Sequence, residues 1–309
     1  DVYQLVPMLM ALGVAAITAF LALTLAKVLR ARDFSFHRFD LKASGRMQRA
    51  GWGFAAFALL WIGVNAHSGW VRHHESAGAR AFEGIQVPDE LALARANPDP
   101  WLSATDRRNI ASGKRHLHAA RDAGLVVNSD ALPKLAWLEY LSGNAKDAVD
   151  LLAAAAEHQR GRGRALSLYY RGAILNRLGR HQEALASLDQ ALTERADLVL
   201  AREERGESLW QLGRRQEAVS AWTDAVASNA GLVLANNLLA GAAWSLGRPE
   251  AAIALETRAD QSTPDNPFFH WMVGLRLQGV GMTRLAEKHF RRAIDLDPGF
   301  RSRLEKTAG

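Results

Sequence analysis

The stretch ALSLYYRGAILNRLGRHQEALASLDQALTERADL (165–198) runs without a break into VLAREERGESLWQLGRRQEAVSAWTDAVASNAGL (199–232), VLANNLLAGAAWSLGRPEAAIALETRADQSTPDN (233–266) and PFFHWMVGLRLQGVGMTRLAEKHFRRAIDLDPGF (267–300). Gly179, Gly213, Gly247 and Gly281 stand 34 residues apart. Position 8 of each segment is small (Gly172, Gly206, Ala240, Gly274), and alanine recurs at position 20 (Ala184, Ala218, Ala252, Ala286) and position 27 (Ala191, Ala225, Ala259, Ala293). A fixed period of this length marks a stack of repeated helix-turn-helix units. Small residues at these places let the helices of one unit, and of the next, approach closely. Glycine at position 15 ends the first helix in the left-handed conformation that only glycine reaches cheaply. Proline stops the second helix at Pro264 and Pro298, where the earlier copies carry Ala196 and Ala230. Leu175, Leu188, Leu209, Trp222 and Phe290 are expected to fill the space between helices.

This pattern resembles the tetratricopeptide repeat (TPR) family, and the resemblance implies an all-α solenoid that binds protein and rarely does chemistry. In that family the concave face is lined by positions 2, 5, 9, 12 and 13 of the first helix. Carried over, these positions imply a peptide-binding groove of Trp137, Tyr140, Tyr169, Asn176, Arg177, Glu203, Glu207, Trp210, Gln211, Asn237, Trp244, Phe268, Trp271 and Gln278. Rings supply contact area there, and amides bond a peptide backbone; packing of the tryptophans between adjacent helices is the competing reading. Position 5 reads Tyr169, Glu203, Asn237 and Trp271, so the lysine-asparagine clamp with which chaperone-binding relatives hold a C-terminal carboxylate is missing.

Outward from the four repeats the pattern weakens. Ala136, Gly143, Ala148 and Ala155 fit an irregular repeat over 129–164, with Gly143 36 residues before Gly179. The extra length is expected as an exposed loop at Arg160–Arg164. Ser103–Gly124 reads as one helix in a capping or half-repeat region (103–128), N-capped by Ser103 or Thr105 with Asp106 in its first turn. Residues 301–309 are expected to form a C-terminal cap.

Residues 1–71 read as a transmembrane helical hairpin. Val2–Ala26 carries no charge over 25 residues and Ala50–Val71 none over 22, giving spans of about 2–26 and 50–71. As helices these reach roughly 37 and 33 Å, enough for a hydrocarbon core of about 30 Å. A signal peptide is the competing reading of the first span, against which stand its length and the lack of preceding basic residues. The link 27–49 holds Lys27, Arg30, Arg32, Arg38, Lys42, Arg46 and Arg49 against Asp33 and Asp40, a net +5 out of the whole chain's +6. Residues 129–309 are nearly balanced, so the basicity is a topology signal and no argument for nucleic acid. Short basic loops stay in the cytoplasm, which places the solenoid in the periplasm of a bacterial inner membrane. Residues 72–102 are expected to be a linker. The chain's start at Asp1 suggests a processed form or a piece of something longer.

The absence of cysteine excludes thiolate metal sites, iron-sulfur clusters and a cysteine nucleophile within these residues. No Gly-rich phosphate loop and no G-x-S-x-G elbow is present. His67, His73 and His74 cluster near the end of the second span, where interfacial polarity is the commoner reading than metal or haem; His116 and His118 read as surface residues. No catalytic residue and no cofactor is expected. The function expected is a non-enzymatic scaffold or assembly factor that holds a protein or peptide partner within a membrane complex. The layout is similar to that of the TPR cytochrome c maturation factors. A second expectation, from a similarity to the TPR tails of membrane polyferredoxin proteins, is an accessory part of a redox or transport complex.

Overall fold

The computed structural model describes residues 2–98, 101–124 and 128–301, residues 2–8 as backbone alone. It divides into two compact units, one built on residues up to 76 and the other on 77–121 and the residues from 128 onward.

In the first unit, α1 (Val2–Arg30) and α2 (Arg49–Glu83) flank a small antiparallel sheet, β1 (Phe34–Phe36), β2 (Phe39–Ala43) and β3 (Arg46–Met47). The basic link is therefore not a plain loop, and the fold is nearly rather than wholly helical. Phe36 pairs with Phe39 and Ala43 with Arg46 across the strands. Ser44 and Gly45 both have positive φ (49° and 77°), which suits the tight hairpin turn that matches strand twist. Leu21 and Leu25 of α1 pack with Ala55 and Ala58 of α2, flanked by Phe54 and Trp61. The Trp61 indole N–H donates to Thr18 Oγ1 at 3.0 Å. The small residues of the spans are used unequally: Gly51 is closed over by the Leu41 backbone, whereas Gly13 and Gly53 have no neighbour within 4 Å of a would-be Cβ.

The expected linker is largely structured. Residues 72–83 continue α2, because nothing before Gly84 breaks the helix. In the second unit α3 (Asp89–Ala92) and α4 (Ala104–Ala123) follow. A capping box starts α4: Asp106 N donates to Ser103 Oγ at 3.0 Å, and Ser103 N donates to Asp106 Oδ2 at 3.0 Å. Five helix hairpins follow: α5 (Ala131–Leu141) with α6 (Ala145–His158), α7 (Gly161–Arg177) with α8 (His181–Glu194), α9 (Val199–Gln211) with α10 (Arg215–Ser228), α11 (Val233–Ser245) with α12 (Pro249–Ser262), and α13 (Pro267–Gly279) with α14 (Thr283–Leu296). The turn glycines Gly143, Gly179, Gly213, Gly247 and Gly281 all have positive φ, between 67° and 88°. The Gly/Arg stretch does not form the expected loop. It opens α7, which is 17 residues long against 13 for α9, α11 and α13, so the extra residues lengthen a helix. Pro298–Phe300 form a 3-10 turn that seats the buried Phe300 ring 5.4 Å from Trp271. Residues 302–309 of the expected cap lie outside the described residues.

Candidate peptide-binding groove

Every expected groove residue lies on the first helix of a hairpin: α5, α7, α9, α11 or α13. Their environments split. Gln211, Trp244, Phe268 and Gln278 are exposed, and Trp210 and Arg177 are intermediate. Trp137, Tyr140, Tyr169, Asn176, Glu203, Glu207, Asn237 and Trp271 are buried. The expectation of an open aromatic and amide surface is thus corrected at eight positions. Two causes account for most of it: side chains of the second and fourth repeats meet directly, and residues 84–98, 101 and 102 lie over the same face.

The first cause is a buried charge cluster. Arg177 Nη2 is 2.7 Å from Glu204 Oε2 and its Nη1 3.0 Å from Glu207 Oε2. Arg276 Nη2 is 2.7 Å from Glu204 Oε1 and also bonds Glu207 Oε1. Two cations and two anions thus close a neutral quartet between α7, α9 and α13. Asn176 Nδ2 donates to Glu204 Oε2 at 3.0 Å, and Ser208 Oγ donates to Asn176 Oδ1 at 2.7 Å. Burial raises the Glu204 carboxyl, but Arg177 and Arg276 more than offset it and hold the group below the usual carboxylate range. Glu203 has no such pairing. Burial pushes its carboxyl up to about 7, against the pull of Arg276 and with the repulsion of Glu207 and Glu204. Gln211 Nε2 adds a bond to the Gly279 carbonyl at 2.8 Å, again from the second repeat to the fourth.

The second cause is the segment before α4. Val87, Leu91, Ala92, Leu93, Ala94 and Leu102 are buried in the same core as the repeats. The Tyr140 hydroxyl lies between the carbonyls of Ala92 (3.1 Å) and Arg95, and Tyr170 Oη donates to Asp89 Oδ2 at 2.6 Å. Trp101 meets Phe268 and Trp271 edge-on, with ring centroids 6.4 and 6.3 Å away. At the N-terminal end, Gln86 N donates to Asp106 Oδ1 at 2.9 Å.

The tryptophans divide by repeat. Trp271 sits 4.8 Å from Phe290 inside its hairpin, with no exposed surface. Trp210 stacks toward Trp222 at 5.6 Å beneath Arg215. Trp244 donates to Glu256 Oε1 at 2.6 Å while Arg284 covers its face. Asn237 spends its amide on the Val233 carbonyl of its own helix, 2.9 Å away. The sequence reading missed Glu204, Arg276, Tyr170 and residues 84–102. Ile85, Val87, Leu91 and Leu93 were the signal, since a solvated tether has no use for such residues. His67, His73 and His74 hold no group of three or more metal-binding side chains together, nor do any other described residues. His118 is less a surface residue than expected: its Nε2 is 2.6 Å from the buried Glu139, which Lys114 also pairs at 2.7 Å.

Stacked helix hairpins with left-handed glycine turns and a polar inner face define a helical-repeat protein of the binding type. The family model described as "Tetratricopeptide repeat" matches residues 134–198 and 204–267, and the hairpins there are similar to that family. Among solved structures the chain is similar to MamA (17% identity, TM-score 0.46, 52% of this chain and 95% of that one). It is also similar to MamA from Desulfovibrio magneticus RS-1 (21%, TM-score 0.41, 55% and 96%). A third is YrrB, described as a TPR protein with an unusual peptide-binding site (17%, TM-score 0.45, 53% and 84%). No curated protein matches the chain.

Proposed function

We propose that this chain is a membrane-anchored, non-enzymatic scaffold or assembly factor. In this reading α1 and the first part of α2 cross the bacterial inner membrane, the basic link stays in the cytoplasm, and the repeats take a protein or peptide partner in the periplasm. One observation carries the reading. Leu9, Met10, Leu12, Phe20 and Leu23 on α1, with Trp52, Phe57, Leu59 and Leu60 on α2, are all exposed on helices that a strongly basic link joins. Water is a poor solvent for two such faces, and lipid a good one. TPR units serve protein–protein contact, and Gln211, Trp244, Phe268 and Gln278 are the expected groove residues still accessible.

Protease added to intact spheroplasts tests the topology: the repeats should be digested, and their survival would sink it. Photo-crosslinkers at Gln211 and Gln278 test the docking. Adducts are expected there and not at Glu217 on α10; equal labelling at all three positions would count against an inner-face partner.

A further inference from the structure

The segment over the inner face is held as a peptide is held. The Tyr140 hydroxyl addresses two backbone carbonyls, those of Ala92 and Arg95, and no side chain of the segment. These carbonyls stand at the C-terminal end of the one-turn helix α3 and in the turn after it, and recognition of main chain leaves an occupant's side chains free to vary. Tyr170 reads a single side chain, Asp89, whose carboxyl is raised by burial and by Glu90 in spite of that bond. The buried side chains between these two anchors are Leu91, Ala92, Leu93 and Ala94. Pro88 caps α3 at its N-terminal end, and Pro98 follows the turn that closes the segment.

The fit is incomplete. A cavity of about 330 Å³ remains where Ala94, Arg95 and Ala96 face Asn176, Arg177, Glu207 and Gln211. The Arg177 side chain, which lines it, is 91% buried, and its Nε has no hydrogen-bond partner among the described residues. A buried N–H left without an acceptor costs about 1–3 kcal/mol, so an occupant that supplied a carbonyl or carboxylate there would bind better than the segment in place.

We infer that residues 86–96 are a cis ligand of the TPR inner face, and that its partner is a peptide of the same chemistry that takes one helical turn there. That peptide carries an acidic residue for Tyr170, followed by alternating leucine and small residues, and it enters by displacing the segment. The identity of a partner in trans rests on the docking reading above; the occupancy of the groove by a separable ligand does not, and it is tested without any partner.

The test uses the full chain in nanodiscs and a fluorescein-labelled synthetic peptide of residues 84–102. Leu91→Ala with Leu93→Ala loosens the segment and leaves the groove untouched. This variant is expected to bind the peptide about tenfold more tightly than the wild type, the equivalent of about 1.4 kcal/mol. Adding Tyr140→Phe, which removes only the hydroxyl, should cut that binding at least about fivefold. Hydrogen exchange on the wild type gives a second measure: amides of 86–96 should exchange through an opening that leaves α9 and α11 protected. The inference is overturned if a folded variant binds the peptide no better than the wild type. It is equally overturned if the double variant loses its cooperative melt, or if 86–96 exchanges only when the whole solenoid unfolds, since the segment is then core and no ligand.

Discussion

The Trp222 indole occupies the space that a Cβ on Gly206 would need, and its Nε1–H donates to the Glu203 carbonyl at 3.2 Å. The same exchange of volumes recurs in phase. A Cβ on Gly172 would lie 2.6 Å from Leu188, and one on Gly274 2.5 Å from Phe290. Where position 8 is Ala240, the facing position 24 is Glu256, which turns outward to Trp244, Arg284 and Lys288. Position 8 and position 24 thus share one volume in the hairpins of Gly172, Gly206 and Gly274.

Gly206→Ala is therefore expected to destabilise. A helix-interior glycine normally gains about 0.5–1 kcal/mol on becoming alanine, but overpacking costs about 1–3 kcal/mol. Denaturant unfolding should show a net loss of about 1 kcal/mol or more, recovered in part by Trp222→Leu, the residue type of the first repeat. A raised midpoint in the single variant would refute the shared volume.

Arg276→Met leaves Glu204 and Glu207 buried with one cation in place of two. Breaking a buried ion cluster in this way costs about 3–5 kcal/mol. Arg180→Met, at a solvent-screened pair with Glu183, should leave the unfolding midpoint close to that of the wild type. Comparable unfolding midpoints for the two variants would show the quartet to be energetically idle.

Glu203 gives the solenoid a pH dependence of unusual sign. Its folded value of about 7 lies above the ordinary 4.5, so the folded state holds more protons between these limits. The stability it contributes is full below pH 4.5 and falls as pH rises through about 7, by on the order of 3 kcal/mol. Glu203→Gln removes the titrating carboxyl at nearly unchanged volume and should flatten this fall, which melting curves between pH 5 and 8 would register. Charge reversal at Glu203 or Glu207 would report on stability and not on docking.

The pair His270 and His289 acts in the opposite direction. Their Nδ1 atoms are 3.0 Å apart, within reach for one imidazole to donate to the other, and burial favours the neutral rings. Burial, then the His270 neighbour, then Lys288 push His289 down to about 3; burial and Arg292 lower His270, with Asp265 and Asp260 opposing. With folded values below the ordinary 6.5, this contribution is intact above pH 6.5 and is lost as pH falls toward 3. His289→Leu should melt with a shallower acid slope, and an unchanged slope would exclude the pair as its source.

The repeat was legible because its signals are local. Gly179, Gly213, Gly247 and Gly281 report a backbone angle, and Gly172, Gly206 and Gly274 a contact within one hairpin, so residue type and spacing suffice. The capping box at Ser103 and Asp106 is legible for the same reason. The Gly/Arg stretch misled because loop composition at Gly161 and Gly163 was outvoted by the tertiary surroundings of α7. The linker misled because the polar residues around it and the turn at Pro98 suit a tether, while Leu91 and Leu93 found a core.

By itself the sequence determined the period, the two apolar stretches, the charge of their link and the helices on which the groove residues stand. Each of these follows from neighbours within a turn or a hairpin. Only the tertiary structure decided which of those residues remain accessible. Arg276 meets Glu207 from 69 positions away, and Tyr140 meets Ala92 from 48. Such pairings depend on how far each repeat rotates on the last, a small angle set by the summed packing of many side chains and written in no single one of them.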